Sequence, residues 1–163
     1  MRQYLILIAA ALCLTGCKVG APGKLETSIM TRAKRSITVG NKKQKNPLPS
    51  TQENIAAGRV AFSHYCFACH GLDGQNTGVP FADHMSPPVP SLKSASVQSY
   101  ADGQLKSVIE NGLSPSGMPS GRDILTDEEM WQIVLYIRNL PPAGSLGEPR
   151  AYNGDGPPAI SER

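Results

Sequence analysis

The sequence predicts an all-α domain, and three observations carry that expectation. Two capping signatures precede apolar stretches, a four-position apolar stripe recurs at helical spacing toward the C-terminal end, and no segment alternates with the period of two expected of a half-buried strand.

Residues 1–16 form an address rather than part of the domain. Arg2 is a short basic start, Tyr4 to Leu14 is an apolar run too short to span a bilayer comfortably, and the small residues Thr15 and Gly16 then meet Cys17. This is the pattern of a signal peptide. Leu14-Thr15-Gly16-Cys17 resembles the bacterial lipobox, which implies that the Cys17 sulfur is lipidated and that Cys17 becomes the mature N-terminus. Multiple acyl chains, at about 0.8 kcal/mol per buried methylene, would hold the chain firmly on a membrane.

Residues 17–50 read as the lipidated N-terminus and a flexible tether. From Lys18 to Ser50 eight basic residues stand against the lone acid Glu26, a side-chain balance of +7. Such a stretch is expected to be solvated, with a root-mean-square reach of roughly 30 Å. From residue 51 onward seven basic residues face twelve acids, a balance of −5 that the overall +3 conceals. A basic run suits nucleic acid or anionic lipid. An exported, lipid-anchored chain favours the lipid surface, and no nucleic-acid partner is expected.

The domain itself is read over residues 51–141. Ser50-Thr51-Gln52-Glu53 is a capping-box pattern, and Ile55, Gly58 and Phe62 then share a helical face. Gly58 costs a helix roughly 1 kcal/mol relative to alanine, so its expected use is to let a second helix approach closely. Gly71 to Lys93, with its glycines and prolines, reads as a loop. Leu105, Val108 and Ile109 mark a middle helix that stops at Asn111-Gly112. Thr126-Asp127-Glu128-Glu129 is a second capping box with Leu125 and Met130 at staple positions. Met130, Ile133, Val134 and Ile137 then form an i, i+3, i+4, i+7 stripe, which Pro141-Pro142 ends. Residues 142–163, rich in proline and glycine, are expected to be an extended or disordered tail.

Cys66-Phe67-Ala68-Cys69-His70 is the C-x-x-C-H attachment signature of c-type haem: two thioethers to the porphyrin, with the adjacent imidazole as one axial iron ligand. A thioredoxin-like pair would want a preceding strand, whereas Asn54 to Tyr65 reads as helix. A structural zinc site needs four ligands, and no second C-x-x-C or H-x-x-x-H follows. Cysteine use then closes without a disulfide, since Cys13 leaves with the signal, Cys17 takes lipid, and Cys66 and Cys69 take haem.

With these residues in view, Thr51 to Pro141 resembles a class I monohaem cytochrome c. It is especially similar to small bacterial cytochrome modules found as subunits of haem-copper oxidases or attached to periplasmic dehydrogenases. The resemblance implies a cytochrome c fold of three or more short helices around one covalently bound haem, with long loops. It also implies that a helix bearing Gly58 and Phe62 crosses a C-terminal helix bearing an aromatic, here Tyr136.

His70 and Met118 are the expected metal ligands. Met118 stands 48 residues beyond His70 in Gly117-Met118-Pro119, matching the distal methionine of the family. Its neutral sulfur would favour ferrous iron. Met85, only 15 residues past His70, and His84 remain as alternative ligands in the Asp83-His84-Met85 stretch. Pro90-Ser91-Leu92 resembles the family segment in which the proline carbonyl accepts a hydrogen bond from the proximal imidazole and the leucine packs on the porphyrin, with Pro88 as a second candidate for the carbonyl. Trp131 and Tyr136 are aromatic candidates for the haem surroundings or for the helix interface.

Histidine and methionine on both faces leave iron no open position for a substrate, so no catalytic residue is expected. The expected function is single-electron transfer in an exported respiratory or dehydrogenase-linked chain, with an oxidase, reductase or dehydrogenase as redox partner. The chain is expected in the bacterial cell envelope, with its haem domain on the periplasmic or extracytoplasmic side. Two alternatives differ in class: a haem enzyme or gas sensor with a displaceable distal ligand, and a fixed subunit of a larger redox complex.

Overall fold

The computed structural model describes residues 44–113 and 116–152. The expected signal peptide, Cys17, most of the tether and residues 153–163 lie outside the described residues. Among the described residues there are five α-helices and no strand, so the all-α expectation holds. They are α1 (Gln52–Tyr65), α2 (Phe67–His70), α3 (Ala95–Gln98), α4 (Asp102–Asn111) and α5 (Asp127–Arg138). Short 3-10 turns occupy Ala82–His84 and Arg150–Tyr152.

Helix α1 starts one residue later than the capping box suggests. Thr51 rather than Ser50 is the cap, its hydroxyl accepting the Asn54 amide at 3.2 Å, and the Asn54 side chain turns back to donate to the Pro49 carbonyl at 2.9 Å. Pro49 disfavours helix at the residue before it and supplies this acceptor. Helix α5 forms the box as read: the Glu129 amide donates to the Thr126 hydroxyl at 3.2 Å and the Thr126 amide to the Glu129 carboxylate at 2.8 Å. Leu125 and Met130 are both buried beside it.

Helices α1 and α5 cross at Gly58. A β-carbon there would overlap the Gln132 carbonyl and stand 3.1 Å from the Ile133 nitrogen, so backbone meets backbone. One turn on, the Phe62 and Tyr136 rings meet at 5.2 Å in a tilted contact. Helix α5 buries a wider face than its four-residue stripe predicted, adding Trp131, Leu135 and Tyr136. It is a central element packed by α1 on one side and α4 on another, with Leu105 and Ile109 facing it in the same core.

Arg138 at the end of α5 locks the α3–α4 corner. Its guanidinium donates to the Asp102 carboxylate at 2.9 Å, to the Gln98 carbonyl at 2.9 Å and to the Tyr100 carbonyl. Gln98 in turn bridges the Leu92 and Ile137 carbonyls at 2.8 and 3.0 Å.

Residues flanking 51–141 at both ends contact the domain. Gly103 donates its amide to the Gln44 carbonyl at 2.8 Å, and the Asn46 side chain donates to the Trp131 carbonyl at 2.8 Å. The last residues assigned to the tether are thus tied to α4 and α5. Residues 142–152, read as part of an extended or disordered tail, are tied to the domain. Pro149 is fully buried, and the Gly144 amide donates to the Asp73 carboxylate at 2.7 Å. Isolated anchors, rather than a periodic apolar face, hold this segment, which is why periodicity did not reveal it.

Candidate haem site

Helix α2 is a single turn, and it gathers the three motif residues. Cys66 caps it, and the Cys69 and His70 amides donate to the Cys66 carbonyl at 3.2 and 3.0 Å. A spacing of three residues on one turn puts Cys66 and Cys69 on the same side. Gly71 ends the turn at φ 70, where a β-carbon would stand 2.9 Å from the Thr77 nitrogen.

Cys66 and Cys69 are free, half-buried thiols. Burial, with Cys69 alongside, pushes the Cys66 thiol up to about 12. A disulfide-exchanging cysteine works through the opposite shift, toward thiolate. Among the described residues no three His, Cys, Asp or Glu side chains are grouped to hold a metal ion, whereas a structural zinc site takes four ligands.

Burial brings His70 down to about 4, opposed in part by the Pro90 carbonyl. The imidazole is therefore neutral at pH 7, the form that donates a lone pair to a metal. Its Nδ1 is buried without a partner of full hydrogen-bonding geometry, so the Pro90 carbonyl approaches the ring without closing a strong bond. The Phe62 ring lies 6.5 Å from the imidazole and links it to the α1–α5 crossing.

The other expected residues lie on the loops that follow α2 and α4 and on α5. Leu92 is half-buried against the core, and its amide donates to the Gly74 carbonyl at 2.8 Å, which ties the Pro90–Leu92 segment to the residues just after His70. Met118 is likewise half-buried against the core, its carbonyl accepting the Leu113 amide at 3.1 Å. Gly112, read from sequence only as a helix stop, has a second use: at φ 68, a β-carbon on it would stand 2.5 Å from the Met118 carbonyl oxygen. Met85 lies closer to this loop than its spacing suggested, with its methyl 3.6 Å from where a Gly117 β-carbon would be. His84 is exposed on the 3-10 turn. Trp131 sits in the core, its indole donating to Asp127 at 3.1 Å, and Tyr136 donates its hydroxyl to the Leu72 carbonyl at 3.0 Å.

Asp73 was not singled out from sequence. It is fully buried, and its carboxylate accepts the Thr77 hydroxyl at 2.6 Å, the Gln75 amide at 2.9 Å and the Gly144 amide. Burial alone would raise its pKa, but these hydrogen bonds outweigh burial and hold it below the usual carboxylate value. The only sequence signal was the Asp73-Gly74 turn dipeptide. A surface groove of about 430 Å³ on the outer face of α1, lined by Arg59, Val60, Leu72 and Leu146 among others, includes none of the expected site residues.

Two thiols on one side of a single turn, followed by a half-buried imidazole, make a donor set that suits a porphyrin. The profile of the family described as cytochrome c oxidase, cbb3-type, subunit III matches residues 53–137. The chain belongs to that family. Membership in the cbb3-type subunit III family makes it a c-type cytochrome and implies haem c with its iron. The chain is also similar to the quinohemoprotein alcohol dehydrogenase ADH IIB of Pseudomonas putida, at 31% identity over 91 residues. That match takes in 56% of this chain and 12% of the dehydrogenase, so the chain corresponds to a small part of that protein. Among solved structures, the reducing HAO-like protein complex of Kuenenia stuttgartiensis matches with a TM-score of 0.49 at 24% identity, over 57% of this chain and 46% of that one.

Proposed function

We propose that the protein is a single-electron carrier holding one haem c through thioethers to Cys66 and Cys69, with His70 and Met118 as axial ligands. The single observation that carries this reading is the C-x-x-C-H turn, which sets two half-buried thiols and the half-buried His70 imidazole on one turn of helix. Haem iron, when bound, supplies a one-electron couple. The chain supplies attachment through two half-buried thiols, an imidazole whose orientation the Pro90 carbonyl biases, and an apolar wall that includes Leu92 and Phe62. A soft sulfur at Met118, carried on a loop that Gly112 allows to pack closely, favours the ferrous state over what a second imidazole would allow. Acid–base or nucleophilic groups are not required.

The test is direct. Matured protein, denatured and extracted with acidic organic solvent, is expected to keep its colour on the polypeptide; the Cys66→Ala, Cys69→Ala double variant is expected to lose it. Colour leaving the parent polypeptide would refute covalent attachment. Exposure of the ferrous protein to carbon monoxide separates a carrier, whose spectrum stays unchanged, from a gas sensor or haem enzyme, whose spectrum shifts rapidly.

The reading extends to a lipid anchor at Cys17, with the haem domain on the extracytoplasmic side of the bacterial envelope, supported by the lipobox-like sequence. Cys17→Ser is expected to release a soluble cytochrome with its haem intact. An intact mass showing an unmodified Cys17 in the mature parent would remove the anchor without touching the haem. Membership in a family described as an oxidase subunit, and likeness to part of a dehydrogenase whose name joins haem to alcohol oxidation, favour a place beside such redox partners.

A further inference from the structure

Residues 141–152 run across the segment that carries the C-x-x-C-H motif and are tied to it at three points. The Gln75 side chain donates to the Pro141 carbonyl at 2.9 Å, the Gly144 amide to the buried Asp73 carboxylate at 2.7 Å, and the Tyr152 hydroxyl to the Ala68 carbonyl at 2.7 Å. Ala68 lies between the two motif cysteines. The Tyr152 ring stands edge-on to Phe81 at 5.7 Å, and Glu148 fills the space beside Gly78 so closely that a β-carbon on that glycine would meet it at 2.5 Å.

We propose that this strap is a wall of the haem site and that Tyr152 is a positioning residue for the turn between the two thioether cysteines. The proposal rests on the haem reading above. Tyr152 fixes the Ala68 carbonyl and, with Phe81, keeps water from the Cys69 side of the site. Exclusion of water disfavours the more highly charged ferric state, so an intact strap raises the reduction potential.

The test uses the full chain with haem attached, comparing Tyr152→Ala and Tyr152→Phe with the parent. Covalent haem per polypeptide is counted after denaturation, and the potential is titrated on the native protein. Both variants are expected to carry the parent's haem content. Tyr152→Ala is expected to show the lowest potential and faster amide exchange at Cys69 and His70. Tyr152→Phe, which keeps the ring against Phe81 and loses only the Ala68 bond, is expected between it and the parent. A Tyr152→Ala protein with full haem and the parent's potential overturns the proposal while leaving the haem reading intact. A parent chain without covalent haem overturns both. Should Tyr152→Ala fail to mature, Tyr152→Phe decides, and an unchanged potential there overturns the proposal.

Discussion

Gly58→Ala is expected to destabilise the domain severely, although alanine is the better helix former. The propensity gain is about 1 kcal/mol. Against it stands a methyl group placed inside the Gln132 carbonyl and close to the Ile133 nitrogen. These are backbone atoms of a buried helix, with no flexible side chain to swing aside. Relief requires α1 and α5 to separate along a contact that includes Phe62 and Tyr136, so the cost should reach or exceed the upper end of ordinary overpacking, about 3 kcal/mol. A domain of this size has about 5–15 kcal/mol in total. Denaturant unfolding of the haem-loaded variant should show a midpoint well below that of the parent; a midpoint equal to or above the parent's would mean the helices do not cross at Gly58.

Much of this was legible in the sequence, and the exceptions share a cause. Gly58, the Thr126 box and the α5 stripe are local signals: a misplaced glycine, a three-residue reciprocity and a 3.6-residue period each report on their own helix. The C-x-x-C-H turn is local as well. Besides its near partners Gln75 and Thr77, Asp73 holds Gly144 across 71 residues, and Tyr152 holds Ala68 across 84; nothing near either residue records the distant one. The same holds for Asn46, whose side chain reaches Trp131 across 85 residues. The one-residue shift at the start of α1 has a different origin. Asn54 serves the Pro49 carbonyl, a competition between two plausible caps that the pattern alone does not rank.

Met118→Ala is expected to keep covalent haem, lower the reduction potential and admit carbon monoxide to the ferrous protein. On the axial role proposed for Met118, loss of the sulfur would remove the ligand that favours ferrous iron and leave a position to be filled. Met85 is the residue placed to fill it, because its methyl already stands near Gly117, whereas His84 lies exposed on its turn. Partial rescue by Met85 would slow carbon monoxide binding in the single variant, and Met118→Ala combined with Met85→Ala should then bind it without hindrance. A Met118→Ala protein that retains both the methionine-to-iron charge-transfer band and the parent's potential would transfer the axial role to Met85.

The attachment of Gln44 and Asn46 to α4 and α5 has a mechanical consequence. A leash joined to a domain by a free swivel lets every face turn toward a partner. Here the chain enters through a clamp: the Gln44 carbonyl is held by Gly103, and Asn46 is held by Trp131. Were the segment before Gln44 the tether read from the sequence, a pull on it would reach the α4–α5 framework through these two bonds rather than through a free swivel.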